Sequence, residues 1–384
     1  MRVQKLTAAK LLLIVFFLFA VFFPLSRMFA CMAETDVLSV VRSGRFLSAV
    51  RNSLSASLAA TCISVVLGIV LAFCTERING KGRHVWTFLF LIPMLIPSIS
   101  TGMGLVILLG RNGILTNLLR LPHPIYGFGG IVAGSVLYSF PVAYMMTADI
   151  IRYEDSRPYE AADILGIPKA KQFTALFVPY IRKPLISVVF TVFTLIVTDY
   201  GVPLMIGGRC ITLPVMMYED VIGLLDFGKG SVIGTVLLVP AVIAFIFDTI
   251  NRDKASSSFG IRPFKRIDNP IAETVAFALC AFTGLVIVLP AASFLLISIV
   301  QKYPIAMQPT FDNFKRAFSM NTGTYLANSL LISSFVSLLG SLTACILSYL
   351  TVRTRSKISK PLHLCAILTL AIPGLVLGLS YVLF

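Results

Sequence analysis

The side chains best placed to do work in this sequence form one spaced group: Glu160-Ala161-Ala162, then Gly166 four residues beyond Ala162, and Pro179 thirteen residues after that glycine. Pro158 and the acids around it suit the first turn of a short helix, where negative charge opposes the positive end of the helix dipole. Ala161 and Ala162 favour helix and carry little bulk, so another protein can approach the backbone closely. Gly166, followed by Ile167-Pro168, ends that helix and reverses the chain. A second short helix from about Lys169 to Phe177 is then expected, leading through Pro179 into an apolar run. The chemistry on offer is recognition by a rigid knuckle, with no bond making.

The other reactive-looking groups are scattered. Asp199, in Thr198-Asp199-Tyr200-Gly201, is the clearest acid inside an apolar stretch, and such acids are costly in lipid unless they face protein or water. Asp199 and Tyr200 are therefore candidates to line a polar pathway. The plainer alternative is a helix end held by a hydrogen bond, because Gly201 and Pro203 already break the helix. Gly223 to Gly228-Lys229 has phosphate-loop spacing, but Gly230 stands where a Ser or Thr would bind magnesium. His84, His123 and His363 lie apart and the seven cysteines contain no Cys-x-x-Cys, so neither metal, cofactor nor catalysis is expected.

The elements that carry these residues are not those of a water-soluble domain. Of 384 residues 57% are hydrophobic and 13% charged, and mean hydropathy is +0.90, whereas soluble domains are roughly a quarter charged. Charge-free runs cover residues 11–26, 52–75, 85–110, 121–148, 184–198, 230–247, 274–301, 317–352 and 361–384. Most reach the roughly 18 to 20 apolar residues that a helix needs to cross a bilayer. The fifth is expected to continue through Asp199 to Ile206 with the acid turned from lipid. Continuous runs exclude the alternating pattern of a β-barrel, which leaves an all-α polytopic membrane protein with about nine transmembrane helices.

The formal charge of +15 does not indicate nucleic acid. With the N-terminus inside, roughly two thirds of the 32 basic residues fall in cytoplasmic loops, so the excess reports orientation. The apolar start of the chain resembles a signal peptide, yet the charge alternation needs it in place as an uncleaved first helix.

The sequence is also built twice. Asn52-Ser53-Leu54 recurs as Asn328-Ser329-Leu330, and the same offset of 276 pairs Ser57 with Ser333, Leu71 with Leu347, Thr75 with Thr351 and Arg77 with Arg353. Ile92-Pro93 then matches Ile372-Pro373 at an offset of 280. Both matches fall on corresponding spans, as in transporters built from two similar halves. The expected division is residues 1–265, with six spans and a long cytoplasmic loop at 151–183, and residues 266–384, with three. Because the sequence stops at Phe384 in an apolar segment, the second unit is expected to be incomplete.

The loop at 151–183 resembles the EAA loop of the inner-membrane permeases of ATP-binding-cassette importers: Glu-Ala-Ala, three residues, Gly, nine residues, then an apolar-x-apolar-Pro ending, here Leu176, Phe177, Val178 and Pro179. Leu176 stands where Ile is common and Val178 where Leu is common. The resemblance implies a type I importer permease fold in a bacterial inner membrane, a cytoplasmic dimeric ATPase partner and an extracytoplasmic substrate-binding protein. It also implies that Glu160, Ala161, Ala162, Gly166 and Pro179 dock the ATPase, which would hold all of the ATP chemistry. The two-unit plan resembles fused permeases of the ferric-iron type, which makes ferric iron the first substrate expectation and aminoethylphosphonate or another small solute the second. An ion-coupled secondary transporter is the alternative class, but it would leave the loop unexplained.

Overall fold

The computed structural model describes residues 2–78, 82–251, 262–264, 266–267, 269–353 and 358–384. The serine run Ser256-Ser257-Ser258, Lys265 at the expected unit boundary, and the basic residues Lys81, Arg252, Lys254, Arg355 and Lys357 lie outside the described residues.

The apolar runs form helices because only a helix satisfies its backbone within its own segment. The first half of the chain contains α1 (Arg2–Phe17), α2 (Phe23–Ala33), α3 (Val37–Arg42), α4 (Gly44–Arg77), α5 (Arg83–Leu95), α6 (Ser98–Leu109) and α7 (Ile114–Leu119). There follow α8 (Phe128–Arg152), α9 (Arg157–Ile164), α10 (Lys169–Gln172), α11 (Val178–Val197), α12 (Gly201–Ile206), α13 (Leu213–Tyr218), α14 (Phe227–Asn251) and α15 (Pro270–Ser298). A hairpin of β1 (Val300–Lys302) and β2 (Ala306–Pro309) precedes α16 (Asp312–Ser319), α17 (Thr322–Val352), α18 (Ser359–Ala371) and α19 (Gly374–Leu383). Among the described residues, seven helices are long and apolar enough to cross a membrane, and Arg83–Leu95, Phe227–Ile243 and Gly374–Leu383 are shorter apolar helices. Each expected run falls on one of these or on a broken pair.

Two breaks revise the sequence reading. The third run is not one helix: α5 stops at Leu95 and α6 starts at Ser98, with Ile96 and Pro97 extended between them (ψ 129° and 142°). Pro97 disfavours helical geometry at the residue before it, and here the helix breaks. The ninth run breaks at Ile372 and Pro373, with ψ of 123° and 135°. Ile96-Pro97 and Ile372-Pro373 are separated by 276 residues, so the matching break lies at the first offset and Pro93, inside α5, is not its counterpart.

By packing, the chain divides into residues 1–35 with 294–384, and residues 36–293. In the first unit Lys10 is buried and its Nζ donates to Ser359 Oγ at 2.8 Å. Phe19 and Phe23 meet Phe384 edge-on.

The second unit carries the knuckle. Asp36 and Ser43 accept backbone N–H groups of Ser39 and Phe46, which sets the starts of α3 and α4. Helix α4 packs along α8 through small residues: Ser64 and Ser139 hydroxyls meet at 2.8 Å, and Gly68 lies against the backbone of Ala143. Thr75 and Thr87 both reach the Tyr144 hydroxyl, at 3.1 and 2.9 Å. Val188, Val192 and Ile196 of α11 fill the space beside Ala60, Val65 and Ala143. The knuckle thus hangs from a tightly packed helix trio.

Candidate functional site

Helix α8 ends at Arg152, and the chain turns through Glu154, Asp155 and Ser156 into α9. Pro158 sits in the first turn of α9 and Glu160 follows in that same turn, as their side-chain chemistry requires. The other end closes by a Schellman arrangement: Ile167 N–H donates to Ala162 O at 2.9 Å, and Gly166 adopts φ +69°. Asp163 ties the two limbs together, accepting from Lys169 Nζ at 2.7 Å and from Gln172 Nε2 at 2.6 Å. Gln172 Nε2 also donates to Ile167 O at 2.8 Å. The Lys169 ammonium, and then Gln172, hold the Asp163 carboxyl below the usual carboxylate range.

That depression sets a pH window. The tie is fully present above the ordinary aspartate value of about 4 and is lost only as pH falls through the lower folded value, so it is constant near neutrality. Asp163→Ala is accordingly expected to speed amide exchange at Gly166 and Ile167 several-fold at pH 7. A peptide-level exchange measurement that finds no change would remove Asp163 from the knuckle's framework.

The second limb differs from the expected short helix. Residues Lys169 to Val197 run as one continuous helix with a π-turn at Phe173–Phe177, where Val178 N–H bonds back to Phe173 O. The wider turn brings in Pro179, which has no N–H to give, without breaking the helix. The second limb of the knuckle is therefore continuous with the long apolar helix that ends at Val197.

The docking candidates take distinct positions. Ala162 is buried within this chain, so its small size serves internal packing, whereas Ala161 is exposed. Glu160 is half exposed; it accepts from Arg262 Nη1 at 2.9 Å and from Ser156 Oγ at 3.0 Å. The turn presents a bare apolar tip, with Ile164 87% and Leu165 76% exposed and Phe173 exposed beside them. In sequence these three looked like ordinary helix residues.

Asp199 and Tyr200 lie at a helix junction. Helix α11 ends at Val197, and Asp199 starts α12 by accepting the N–H groups of Gly201 and Val202 at 3.3 and 3.1 Å. The single span expected to run on to Ile206 is thus corrected, because the carboxylate caps a new helix there. Tyr200 stacks on Tyr218 at 5.3 Å. Asp199 also lines a cavity of about 10 Å³ with Ser53, Ser57, Ser135 and Thr212, space for about one water. Among the described residues no three His, Cys, Asp or Glu side chains converge as metal ligands.

Sequence reasoning did not foresee the groups behind the knuckle. Arg77 pairs with Glu154, Tyr159 donates to the same carboxylate, and the Arg77 guanidinium lies 3.4 Å from the centre of the Phe264 ring. Burial and the neighbouring Glu154 push the Tyr159 hydroxyl well above the usual tyrosine range. The sequence repeat, which keeps Arg at 77 and 353, was the one available signal.

Residues 64–257, just over half of the chain, match the family model described as binding-protein-dependent transport system inner membrane component. The chain is 23% identical over 368 residues to a ferric transport system permease protein FbpB of Actinobacillus pleuropneumoniae, covering 91% of this chain and 53% of that protein. It is also 23% identical over 408 residues to a putative ferric transport system permease protein FbpB 1 of Haemophilus influenzae, covering 100% of this chain and 64% of that protein. The chain thus spans between about half and two thirds of the length of these relatives. In fold it is similar to a chain of a bacterial alginate ABC transporter crystallised with its alginate pentasaccharide-bound periplasmic protein, with TM-score 0.56, 16% identity, and coverage of 65% of this chain and 95% of that one.

Proposed function

This chain belongs to the family of binding-protein-dependent transport system inner membrane components, and on that premise we propose that it forms the membrane pathway of an ATP-binding-cassette importer. The knuckle of α9 and α10 docks a separate cytoplasmic ATPase, with Glu160, Ala161 and Gly166 at the contact and Ala162 and Pro179 shaping it from within. Residues 1–265 form one permease unit and 266–384 belong to a second, with the N-terminus in the cytoplasm. An extracytoplasmic binding protein delivers the solute. Ferric iron is the substrate favoured by the two FbpB relatives, and aminoethylphosphonate or another small solute is the second choice.

One observation carries this reading: Ile164 and Leu165, largely exposed, cap a turn that Asp163 and Gln172 tie together from within. An apolar tip beside an acid, on the end of a helix continuous with a span, fits a protein groove better than water. Glu160→Lys is expected to leave membrane insertion unchanged while lowering capture of the co-expressed ATPase at least tenfold. Pull-down from detergent extracts reads this directly, and undiminished capture would exclude Glu160 from the contact.

A further inference from the structure

We propose that Arg77 is a positioning residue that locks the segment around Arg262, Phe264 and Ile267, together with the knuckle, to the end of α4, so that knuckle displacement is delivered to α4. The inference rests on the docking reading above and names the part that transmits its motion.

Arg77 is the last residue of α4 and is 7% exposed. Its guanidinium meets one group from each of two other parts of the chain. Glu154, buried at the foot of α8, takes the charge and also accepts the Tyr159 hydroxyl of α9. Phe264 covers the guanidinium face and stands edge-on to Tyr159 at 4.8 Å. Only a planar, delocalised cation can stack on a ring with its face while its edge donates to a carboxylate.

Backbone bonds hold the same segment at both ends. Ser156 N–H donates to Arg262 O at 3.0 Å, and Ile267 N–H donates to Arg77 O at 2.9 Å, where Ile78 and Ile267 form a parallel bridge. Arg262 adds its contact to Glu160. Arg262 is thus fastened to the knuckle and Ile267 to the end of α4, with Phe264 between them against the Arg77 guanidinium. A buried ion pair adds little stability of its own, but removal of one member leaves a lone buried charge. Arg77 therefore acts by fixing geometry.

The test uses the full chain in detergent and the double variant Arg77→Met with Glu154→Leu, which leaves no lone buried charge. Amide exchange at Ser156 and at Ile267 is expected to rise together by at least tenfold, with the α4 core from Ala56 to Ala72 unchanged. In complex with the ATPase, the variant is expected to keep hydrolysing MgATP while the outer end of α4, residues 44–52, no longer changes its exchange on addition of MgATP and vanadate. Arg77→Lys, which keeps the charge and loses the stack, is expected to lie between. Unchanged exchange at Ser156 and Ile267, or an ATP response at 44–52 equal to that of the unsubstituted chain, overturns the proposal. If the unsubstituted chain fails to bind an ATPase, the docking reading falls, and the exchange at Ser156 and Ile267 still decides the lock.

Discussion

Gly166→Val is expected to insert into the membrane normally yet lose about 5- to 30-fold in ATPase capture, an effect comparable with that of Glu160→Lys. The reason is backbone geometry. Gly166 lies at φ +69°, and an added Cβ there meets no atom within 4 Å. Any loss therefore comes from the left-handed conformation itself, which costs an L-residue roughly 1–2 kcal/mol and a β-branched one more. The knuckle has a few local ties to oppose that cost: the Ile167 to Ala162 bond and the Asp163 contacts with Lys169 and Gln172. A penalty of that size shifts a marginal local equilibrium by a factor of about 5 to 30. Gly166→Asn is the control, because asparagine tolerates this region, and it should retain most of the capture. If Val and Asn behave alike in the pull-down, the turn's conformation is not what the partner reads.

Much of this arrangement was legible because it follows from local chemistry. The apolar runs became helices, Glu160 took the first turn of α9 and Gly166 took the left-handed cap, each for a reason contained within a few residues. What escaped depends on competition between equivalent signals or on contacts far apart in sequence. Pro93 and Pro97 look alike in a row of residues, yet Pro93 stays within α5 and Pro97 starts α6. The break at Ile96-Pro97, at the repeat's own offset of 276 from Ile372-Pro373, decides between them. Pro179 was read as a helix boundary, whereas the π-turn before it makes its missing donor harmless. Asp199 was expected either within a span or at a helix end held by a hydrogen bond, and the second arrangement is the one found. Nothing in the sequence local to Arg262, Phe264 and Ile267 announces Arg77, Ser156 or Glu160 as partners.

The repeat explains why the second large effect is expected at Gly68. In α4 the buried positions Ser53, Ser57, Ser64, Gly68, Ala72 and Thr75 form one small-residue stripe, and the same offset of 276 gives Ser329, Ser333, Gly340, Ala344, Ser348 and Thr351 in α17. Smallness at these positions is what the two halves share. In lipid, helices gain nothing from hiding apolar surface from one another, so association depends on close packing and interhelical hydrogen bonds. At Gly68 the approach is close: an added Cβ would stand 2.8 Å from the Ala143 carbonyl carbon and 2.9 Å from the Tyr144 nitrogen. Those are backbone atoms of α8, and no rotamer change relieves the clash. Gly68→Leu must push α4 from α8, parting the Ser64 and Ser139 hydroxyls and the Thr75 bond to Tyr144. Overpacking of this kind typically costs about 1–3 kcal/mol, to which the severed hydrogen bonds add. The expected result is a melting transition lowered by several degrees in detergent, with yield reduced in parallel, and Gly68→Ala displaced in the same direction by less. Gly129→Ala, on α8 where an added Cβ meets nothing, should melt with the unsubstituted chain. A Gly68→Leu protein that melts with it too would mean that α4 and α8 are not held by this contact.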